Sequence, residues 1–100
     1  MYAYTTRATF YPGQGVAGIQ GWREQLLPWF RQQPGFRRLI VLTDYDANRG
    51  MAIIYWNSKS DFEAARPGFR ALAAEHLHSF VDTQGTHLNE DFAVELDEAV

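Results

Sequence analysis

The amino-acid sequence predicts an α+β domain of the ferredoxin-like class, with elements in the order βαββαβ and one four-stranded antiparallel sheet. Alternating segments near the two ends of the chain indicate strands, and two central apolar runs joined by turn residues indicate a β-hairpin. Two segments with apolar residues three or four positions apart indicate helices. Right-handed crossovers between these elements place both helices on one face of the sheet. We expect residues 1–100 to form a single domain.

The first strand and the first helix are separated by a Pro-Gly turn. The strand alternates between two faces, one of which carries Tyr2, Tyr4, Thr6, Ala8 and Phe10. After the turn, a helix is predicted over residues 16–33, because apolar side chains recur at helical spacing at Val16, Ile19, Trp22, Leu26 and Phe30. Pro28 lies inside this helix and removes a backbone donor, so we expect a kink or a break near residues 24–27.

The middle of the chain predicts a β-hairpin whose strands are apolar at consecutive positions. The two runs are residues 39–42 and 51–56, and the turn between them, residues 46–50, contains Asp, Asn and Gly. Consecutive apolar positions indicate that both faces of these strands are buried, whereas the helices can cover only one. A second copy of the sheet is the simplest cover for the other face. The strands therefore predict a homodimer through the sheet face opposite the helices.

The second helical region is predicted in two pieces. Ser58 is typical of an N-cap, and Asp61 three residues later completes a capping box. The first piece covers residues 59–66 and is expected to end at Pro67, and the second piece covers residues 69–80. A polar loop then leads to the last strand, whose apolar residues are Phe92, Val94 and Leu96.

The charge and the hydropathy of the chain exclude several classes of partner. The net charge is −3, and the only basic cluster is Arg37-Arg38, which argues against nucleic acid and anionic membrane, since both need clustered Lys and Arg. No apolar run approaches the roughly 20 residues that cross a bilayer. The first ten residues alternate and lack the apolar core of a signal peptide. We therefore expect a soluble, cytoplasmic protein.

Cysteine and histidine usage argue against a metal site. The chain contains no cysteine, which excludes disulfides, thiolate nucleophiles and thiolate zinc sites. Its three histidines are scattered, without a carboxylate at ligand spacing. We expect His78 to lie on the side of its helix opposite His76, and His87 to be solvated in the last loop. No metal is expected.

Two segments carry a resemblance to a known family. "QQPGFRRLIVL", residues 32–42, opens the second strand with Pro-Gly-Phe, and "YWNSKSDFEA", residues 55–64, closes the third strand with Trp-x-Ser and caps the next helix. In these segments and in element order, the chain resembles the antibiotic biosynthesis monooxygenase family of dimeric α/β barrels. The resemblance implies a dimeric α/β barrel that needs no cofactor. The family includes cofactor-independent quinone-forming oxygenases of polyketide aromatics, quinol oxygenases and haem-degrading enzymes.

The catalytic residues of this family match the chain only in part. In the polyketide oxygenases a strand tryptophan, here Trp56, acts with an asparagine four residues earlier and a tyrosine six residues later. This chain has Ala52 and Phe62 at those positions. The haem-degrading members need a first-strand asparagine, a second tryptophan and a helix histidine. Here the first strand has no asparagine, Ala65 stands at the tryptophan position, and His76 lies one residue from the histidine position.

Each candidate site residue has a structural and a functional interpretation. Trp56 either fills the space under a helix or forms a pocket wall that stacks on a flat aromatic ligand. His76 is either a buried neutral ring or a general base for a phenol or hydroquinone. Arg7 either forms a salt bridge at a rim or dimer contact, or clamps a carboxylate or enolate of the ligand. The predicted catalytic residue is thus His76, and the predicted ligand-binding residues are Trp56, Arg7, Phe62 and Tyr4.

Three functions are compatible with these residues. The first is a cofactor-independent monooxygenase that oxidises an aromatic or quinol small molecule with O2. The second is a non-catalytic dimer of the same fold that binds a small molecule, as the loss of polar groups at Ala52 and Phe62 favours. The third is a haem-binding or haem-degrading protein with His76 as an axial ligand. What lines the space between the helices and the sheet decides among them.

Overall fold

The computed structural model of the chain describes residues 1–82 and 87–99, and these residues form the predicted order of elements. The strands are β1 (Tyr2–Thr9), β2 (Phe36–Asp44), β3 (Arg49–Trp56) and β4 (His87–Ala93). The first helical region consists of α1 (Gly15–Gly21), a π-helical turn (Trp22–Leu26) and α2 (Leu27–Arg31). The second helical region is α3 (Lys59–His76).

The sheet confirms the predicted ferredoxin-like fold. Its strand order is β2-β3-β1-β4, and each neighbouring pair is antiparallel. β1 is a central strand, so Tyr4 pairs with Ile54 of β3 on one side and with Asp91 of β4 on the other. Side chains alternate between the faces of a strand. Tyr4 and its neighbours two positions away therefore face the helices, and the residues between them face away.

The predicted distortion of the first helix is confirmed. Pro28 has no backbone N–H, so the carbonyl of Glu24 has no α-helical donor four residues later. The helix opens into the π-helical turn Trp22–Leu26 immediately before this proline and returns to α-helix at Leu27. The turn buries Trp22 and Leu26 against the sheet. Such single π turns are frequent where a helix contributes to a binding site.

The predicted break at Pro67 is wrong, because α3 runs through this proline without interruption. The proline removes one backbone hydrogen bond, at a point where the helix surface is exposed. Phe62 and Ala65 before it and Phe69 after it are all buried on one face. Packing of that face outweighs the lost hydrogen bond and holds both halves of the helix in line.

The predicted Ser58 N-cap of α3 is confirmed, whereas the Asp61 carboxylate accepts from Ser58 Oγ at 2.9 Å and not from the backbone N–H that a capping box uses. Ser58 has an extended backbone, and its Oγ accepts a hydrogen bond from the backbone N–H of Asp61 at 3.1 Å. The preceding residue, Asn57, donates its backbone N–H to the carbonyl of Gly35 at 2.8 Å. This contact joins the start of α3 to the loop before β2. It orients α3 across the sheet.

The last strand begins earlier in the chain than its apolar residues predict. β4 spans His87–Ala93, so the second half of the predicted loop is a strand, whereas Val94 and Leu96 follow the strand. β4 is an edge strand that pairs with β1 through seven residues, so its polar side chains do not prevent pairing. Residues 83–86 of the predicted loop lie outside the described residues.

Aromatic rings form the centre of the core. Phe30 of α2 is 1% exposed, and its ring contacts five other aromatic rings at centroid distances between 5.1 and 6.4 Å. These partners are Trp22, Trp29, Phe36, Trp56 and Phe69. The densest packing therefore lies between α2 and the ends of β2 and β3. The space between α3 and the middle of the sheet is less completely filled.

Candidate functional site

A cavity of about 450 Å³ lies between the sheet and α3, with the π-helical turn on one side. Its volume falls in the range of small-molecule sites. Most of its wall is apolar and comes from different elements, including Trp22, Val41, Ala52, Phe69 and Ala73. The space between α3 and the sheet is thus an open, accessible cavity and not a filled core, and it is large enough for a ligand.

Phe10 closes one end of this cavity against glycine backbone. A Cβ added at Gly18 of α1 would lie 2.7 Å from the Phe10 ring, and one added at Gly50 of β3 would lie 2.8 Å from it. Only glycine leaves room for the ring at these two positions. The ring is buried as a consequence, and it fixes the distance between α1 and the sheet.

Two polar side chains of the sheet meet at the exposed rim of the cavity. Thr6 of β1 and Asn89 of β4 are paired in register, and Thr6 Oγ1 donates a hydrogen bond to Asn89 Oδ1 at 2.6 Å. This bond fixes the orientation of the amide. The Nδ2 group of Asn89 then remains available as a donor to a ligand.

Tyr4 is the most buried polar side chain that lines the cavity. The residue is 4% exposed, and its ring stacks on Phe62 at 5.1 Å and meets Phe69 edge to face at 5.8 Å. Its hydroxyl makes no hydrogen bond to any described residue. Burial raises the pKa of Tyr4, although Arg66 and Arg70 act in the opposite direction. The hydroxyl is therefore a neutral donor at the cavity wall.

Two nitrogen-bearing side chains of the α3 region complete the polar wall. Arg70 lines the cavity and forms no ion pair within the part of the chain that the structure describes. His78, just beyond the C-terminus of α3, also lines it, and its Nδ1 lies 3.0 Å from the carbonyl oxygen of Ala74. Within residues 1–82 and 87–99, no carboxylate lines this cavity. Its polar groups therefore favour an anionic or phenolic ligand.

Trp56, a predicted ligand-binding residue, lies in the core and not on the cavity wall. It is 2% exposed, and its ring packs against Phe30 and Phe36 at 6.0 and 5.9 Å. Its Nε1 is buried and has no hydrogen-bond partner among the described residues. The geometry corresponds to the packing interpretation of this tryptophan. It leaves no open space beside the ring for a stacked ligand.

Phe62 and Tyr4, also predicted ligand-binding residues, form one stacked pair, of which only Tyr4 reaches the cavity. Phe62 is buried behind it, and the guanidinium carbon of Arg66 lies 5.9 Å from the centre of the Phe62 ring. Phe62 therefore packs against the Tyr4 ring and does not itself line the cavity. It has no polar atom to offer a ligand.

His76, the predicted catalytic residue, does not line the cavity. Its side chain is 27% exposed, and its Nε2 lies 3.8 Å from a carboxylate oxygen of the neighbouring Glu75. The histidine on the cavity is His78. Helical spacing accounts for its position, because Arg70 and Ala74, eight and four residues earlier, also line the cavity. The apolar stripe predicted through His76 is thus turned away from the open part of the cavity.

Arg7 lies on the face of the sheet that points away from the helices, so it shares no space with Tyr4. It is exposed beside a shallow groove that Leu42, Asp44 and Met51 also line. It forms no ion pair with a described residue. The structure thus separates Arg7 from the cavity and places it on the predicted dimer face.

Arg70, His78 and Asn89 line the cavity although the sequence did not predict them as site residues. Arg70 had no distinguishing signal, because an arginine on a helix surface is common. Asn89 fell in a predicted loop, and it enters the site only because β4 pairs with β1. Among the described residues, no three possible ligands lie close enough together to hold a metal ion. In the same part of the chain, no helix has the length and apolarity needed to span a bilayer.

Comparison with known proteins gives a fold and no sequence match. No protein-family model matches the chain, and no curated protein matches its sequence. A variant of SnoaB, a cofactor-independent oxygenase from Streptomyces nogalater, is 24% identical with a TM-score of 0.76, covering 96% of this chain and 94% of that protein. A monooxygenase from the gene ActVA-Orf6 of Streptomyces coelicolor, solved with the ligand Nanaomycin D, is 14% identical with a TM-score of 0.79, covering 99% and 91%.

A third solved structure extends the likeness beyond Streptomyces. A candidate antibiotic biosynthesis monooxygenase from Deinococcus radiodurans is 13% identical with a TM-score of 0.74, covering 100% of this chain and 98% of that protein. At these identities the comparison establishes the fold. The predicted resemblance is confirmed at that level: the chain has the ferredoxin-like α+β fold of the solved antibiotic biosynthesis monooxygenases.

Proposed function

We propose that the chain is a cofactor-independent monooxygenase of the antibiotic biosynthesis monooxygenase type, which oxidises an aromatic or quinol small molecule with O2 in the cavity under α3. The observation that carries this proposal is the Tyr4 hydroxyl, which is accessible at the wall of a 450 Å³ cavity while the rest of the side chain is buried, and which makes no hydrogen bond to a described residue. A free hydroxyl in a largely apolar cavity is a donor for a ligand oxygen.

The cavity supplies what this chemistry needs from a protein. Trp22 and Phe69 offer aromatic walls for a flat ring, and the wall is largely apolar. Tyr4 and the amide of Asn89 can donate hydrogen bonds to a phenolic oxygen and stabilise it as an anion. The ionised ring is electron-rich and reacts with O2 itself.

The oxidation balances without a further reductant. When a ring CH2 group becomes a carbonyl, two C–H bonds are lost and one atom of O2 becomes the carbonyl oxygen. The other oxygen atom leaves as water with the two hydrogens. The substrate thus supplies all four electrons that O2 takes up.

Ligand binding without oxidation is the alternative, and Ala52 favours it. Ala52 lines the cavity at the position where the resemblance places a catalytic asparagine. The methyl group offers no donor to an oxyanion. Under this alternative, the Thr6–Asn89 pair and Tyr4 hold a small molecule that is not converted.

A homodimer through the outer sheet face is part of the proposal. Apolar side chains on this face lack any cover from the helices, and the more exposed of them include Leu42, Leu88 and Phe92. Arg7 lies among them without an ionic partner among the described residues. Sedimentation velocity at micromolar concentration tests the dimer. We expect a dimer for the wild type and for Val16→Asp, which changes an exposed side chain of α1, and a monomer for Leu42→Asp.

Oxygen uptake with 1,8-dihydroxyanthrone tests the activity, since this probe has an activated CH2 group and acidic hydroxyls. We expect the wild type to accelerate uptake over buffer. Ala73→Phe, which fills the cavity, should abolish the acceleration, while Ala71→Phe on the exposed side of α3 should retain it. Probe binding without acceleration would support the binding alternative. Equal acceleration by the wild type, Ala73→Phe and Ala71→Phe would show that the reaction does not take place in this cavity.

A further inference from the structure

We propose that His78 is the proton acceptor of the cavity, with a tautomer that the carbonyl of Ala74 selects. This inference rests on the proposed function, because it assumes that the cavity holds a ligand with an ionisable O–H group. It replaces the predicted role of His76 with a residue that actually lines the cavity. Three features of the structure carry it.

The first feature is the hydrogen bond between His78 Nδ1 and the carbonyl oxygen of Ala74, at 3.0 Å. A carbonyl oxygen can only accept, so Nδ1 must carry the hydrogen. In the neutral ring, Nε2 is then unprotonated and carries a free lone pair. The last carbonyls of a helix need partners outside the helix, which gives this hydrogen bond a structural cause independent of any ligand.

The second feature is that Nε2 has no competing partner within the described part of the chain. The only hydrogen bond of the His78 side chain there is the one to Ala74. The ring is exposed at the cavity rim, so a proton taken from a ligand can pass on to solvent. His76 lacks this arrangement, because its Nε2 lies near the Glu75 carboxylate and away from the cavity.

The third feature is that the other polar groups of the cavity are donors or cations. The guanidinium of Arg70 has only N–H donors, and the raised pKa of Tyr4 keeps its hydroxyl neutral. Asn89 Oδ1 is occupied by Thr6. Among the described lining residues, His78 is therefore the one side chain with a basic ring nitrogen whose lone pair is free. The other titratable or charged side chains among these described lining residues are Tyr4 from β1 and Arg70 from α3.

These groups together suit the ionisation of a phenol or hydroquinone. The ligand O–H bond breaks, its electron pair stays on the oxygen, and the proton bonds to Nε2 of His78. The imidazolium then has N–H groups at both nitrogens and keeps its hydrogen bond to Ala74. Tyr4 and Asn89 donate to the ligand oxyanion, and Nε2 returns its proton to this oxygen once the two C–H hydrogens have left with the water.

Long-range proton–nitrogen NMR spectra of the ¹⁵N-labelled wild type test the tautomer without any ligand. We expect the neutral His78 ring to show the proton on Nδ1 and an unprotonated Nε2. A neutral ring with the proton on Nε2 would overturn the inference. His76 is an internal reference, since no backbone carbonyl selects its tautomer among the described residues.

The stable probe 2-hydroxyanthraquinone tests the proton transfer, because its visible absorbance distinguishes the phenol from the phenolate. We expect the wild type to bind it as the phenolate at a pH where the free probe is neutral, with Nε2 of His78 protonated in the complex. His78→Asn retains an amide donor for the Ala74 carbonyl and has no basic nitrogen. We expect this variant to bind the probe as the neutral phenol, whereas His76→Asn should behave as the wild type.

The outcomes separate this inference from the proposed function. Binding of the neutral phenol by the wild type, or of the phenolate by His78→Asn, overturns the role of His78 and leaves the cavity as a binding site. No saturable binding to the wild type overturns both. With 1,8-dihydroxyanthrone, we expect His78→Asn to lower oxygen uptake by about 10²-fold or more, as for loss of a general base. Phenolate formation without oxygen uptake by the wild type supports His78 and contradicts the oxygenase.

Discussion

Trp56 and Phe36 stand directly opposite each other in β3 and β2, and their rings meet edge to face at 5.9 Å with an interplanar angle of 74°. Both rings also contact Phe30 of α2. This cluster closes the end of the sheet away from the cavity. It explains why the tryptophan before the Trp-x-Ser cap is a packing residue in this chain.

Shortening Trp56 tests that conclusion. We expect Trp56→Ala to lower the free energy of unfolding by about 3–5 kcal/mol, because it empties a large buried volume. Trp56→Phe should recover most of this loss, since the buried Nε1 has no hydrogen-bond partner to lose among the described residues. Urea unfolding followed by circular dichroism measures both. A small loss for Trp56→Ala, within about 1 kcal/mol, would mean that the indole is not packed as described.

Gly35 lies in the loop that meets α3, and Gly13 is the control position for testing that contact. Both have positive φ, +80° and +77°, but a Cβ at Gly35 would lie 2.7 Å from Asp61 Cβ, whereas nothing lies within 4 Å of one at Gly13. Replacement by Ala should cost about 1–2 kcal/mol at Gly13 from the backbone alone. At Gly35 the cost should exceed this by about 1–3 kcal/mol, because Asp61 must also move. Equal costs in urea unfolding would show that the loop does not pack on Asp61.

Ser58 and Ser60 give a similar comparison at the helix start. Ser58→Ala should cost about 0.5–2 kcal/mol, because the backbone N–H of Asp61 loses its acceptor. Ser60 is exposed and caps no backbone group among the described residues, so Ser60→Ala should change stability by less than about 0.5 kcal/mol. The midpoint of urea unfolding measures both variants. A larger loss of stability for Ser60→Ala than for Ser58→Ala would show that α3 starts at a different residue.

The raised pKa of Tyr4 predicts a loss of stability at alkaline pH. The folded protein holds the phenolic proton more tightly than the unfolded chain, chiefly because of burial. The stabilisation is complete below the ordinary tyrosine value of 10.0 and is lost as the pH rises through the higher folded pKa. We expect the unfolding free energy of Tyr4→Phe to fall less steeply in this range. Urea unfolding across this pH range provides the measurement.

Tyr2 is the control for that experiment. Its pKa is also raised, first by its hydrogen bond to Asp91, but this pair is exposed at the sheet edge. Solvent screens exposed pairs, so we expect Tyr2→Phe to change the alkaline slope less than Tyr4→Phe does. The reverse order would contradict the burial of the Tyr4 side chain.

Local signals predicted the parts of this fold that depend on a few neighbouring residues. The Ser58 cap and the distortion before Pro28 each depend on one or two backbone groups, which the sequence identifies. Pro67 does not end its helix, because the burial of Phe62 and Phe69 on either side is a tertiary effect. The fold class follows from the order of elements and was predicted correctly.

The candidate site was harder to predict because long-range contacts assemble it. Asn89 reaches the cavity through the pairing of two strands that are more than eighty residues apart in the chain. His78 reaches it on the helix side that Arg70 and Ala74 also form, and the sequence alone did not show that this side faces the open part of the cavity. Tyr4 was identified in advance, since strand alternation alone puts it on the helix side of the sheet.

Calorimetric titration with 2-hydroxyanthraquinone tests most directly whether the cavity under α3 is the ligand site. We expect the wild type and Ala71→Phe to bind the probe with equal dissociation constants. Ala73→Phe should weaken binding by at least about tenfold, or about 1.4 kcal/mol, because its ring occupies the cavity while α3 stays intact. Equal binding by wild type and Ala73→Phe, with both folded by circular dichroism, would contradict the central claim.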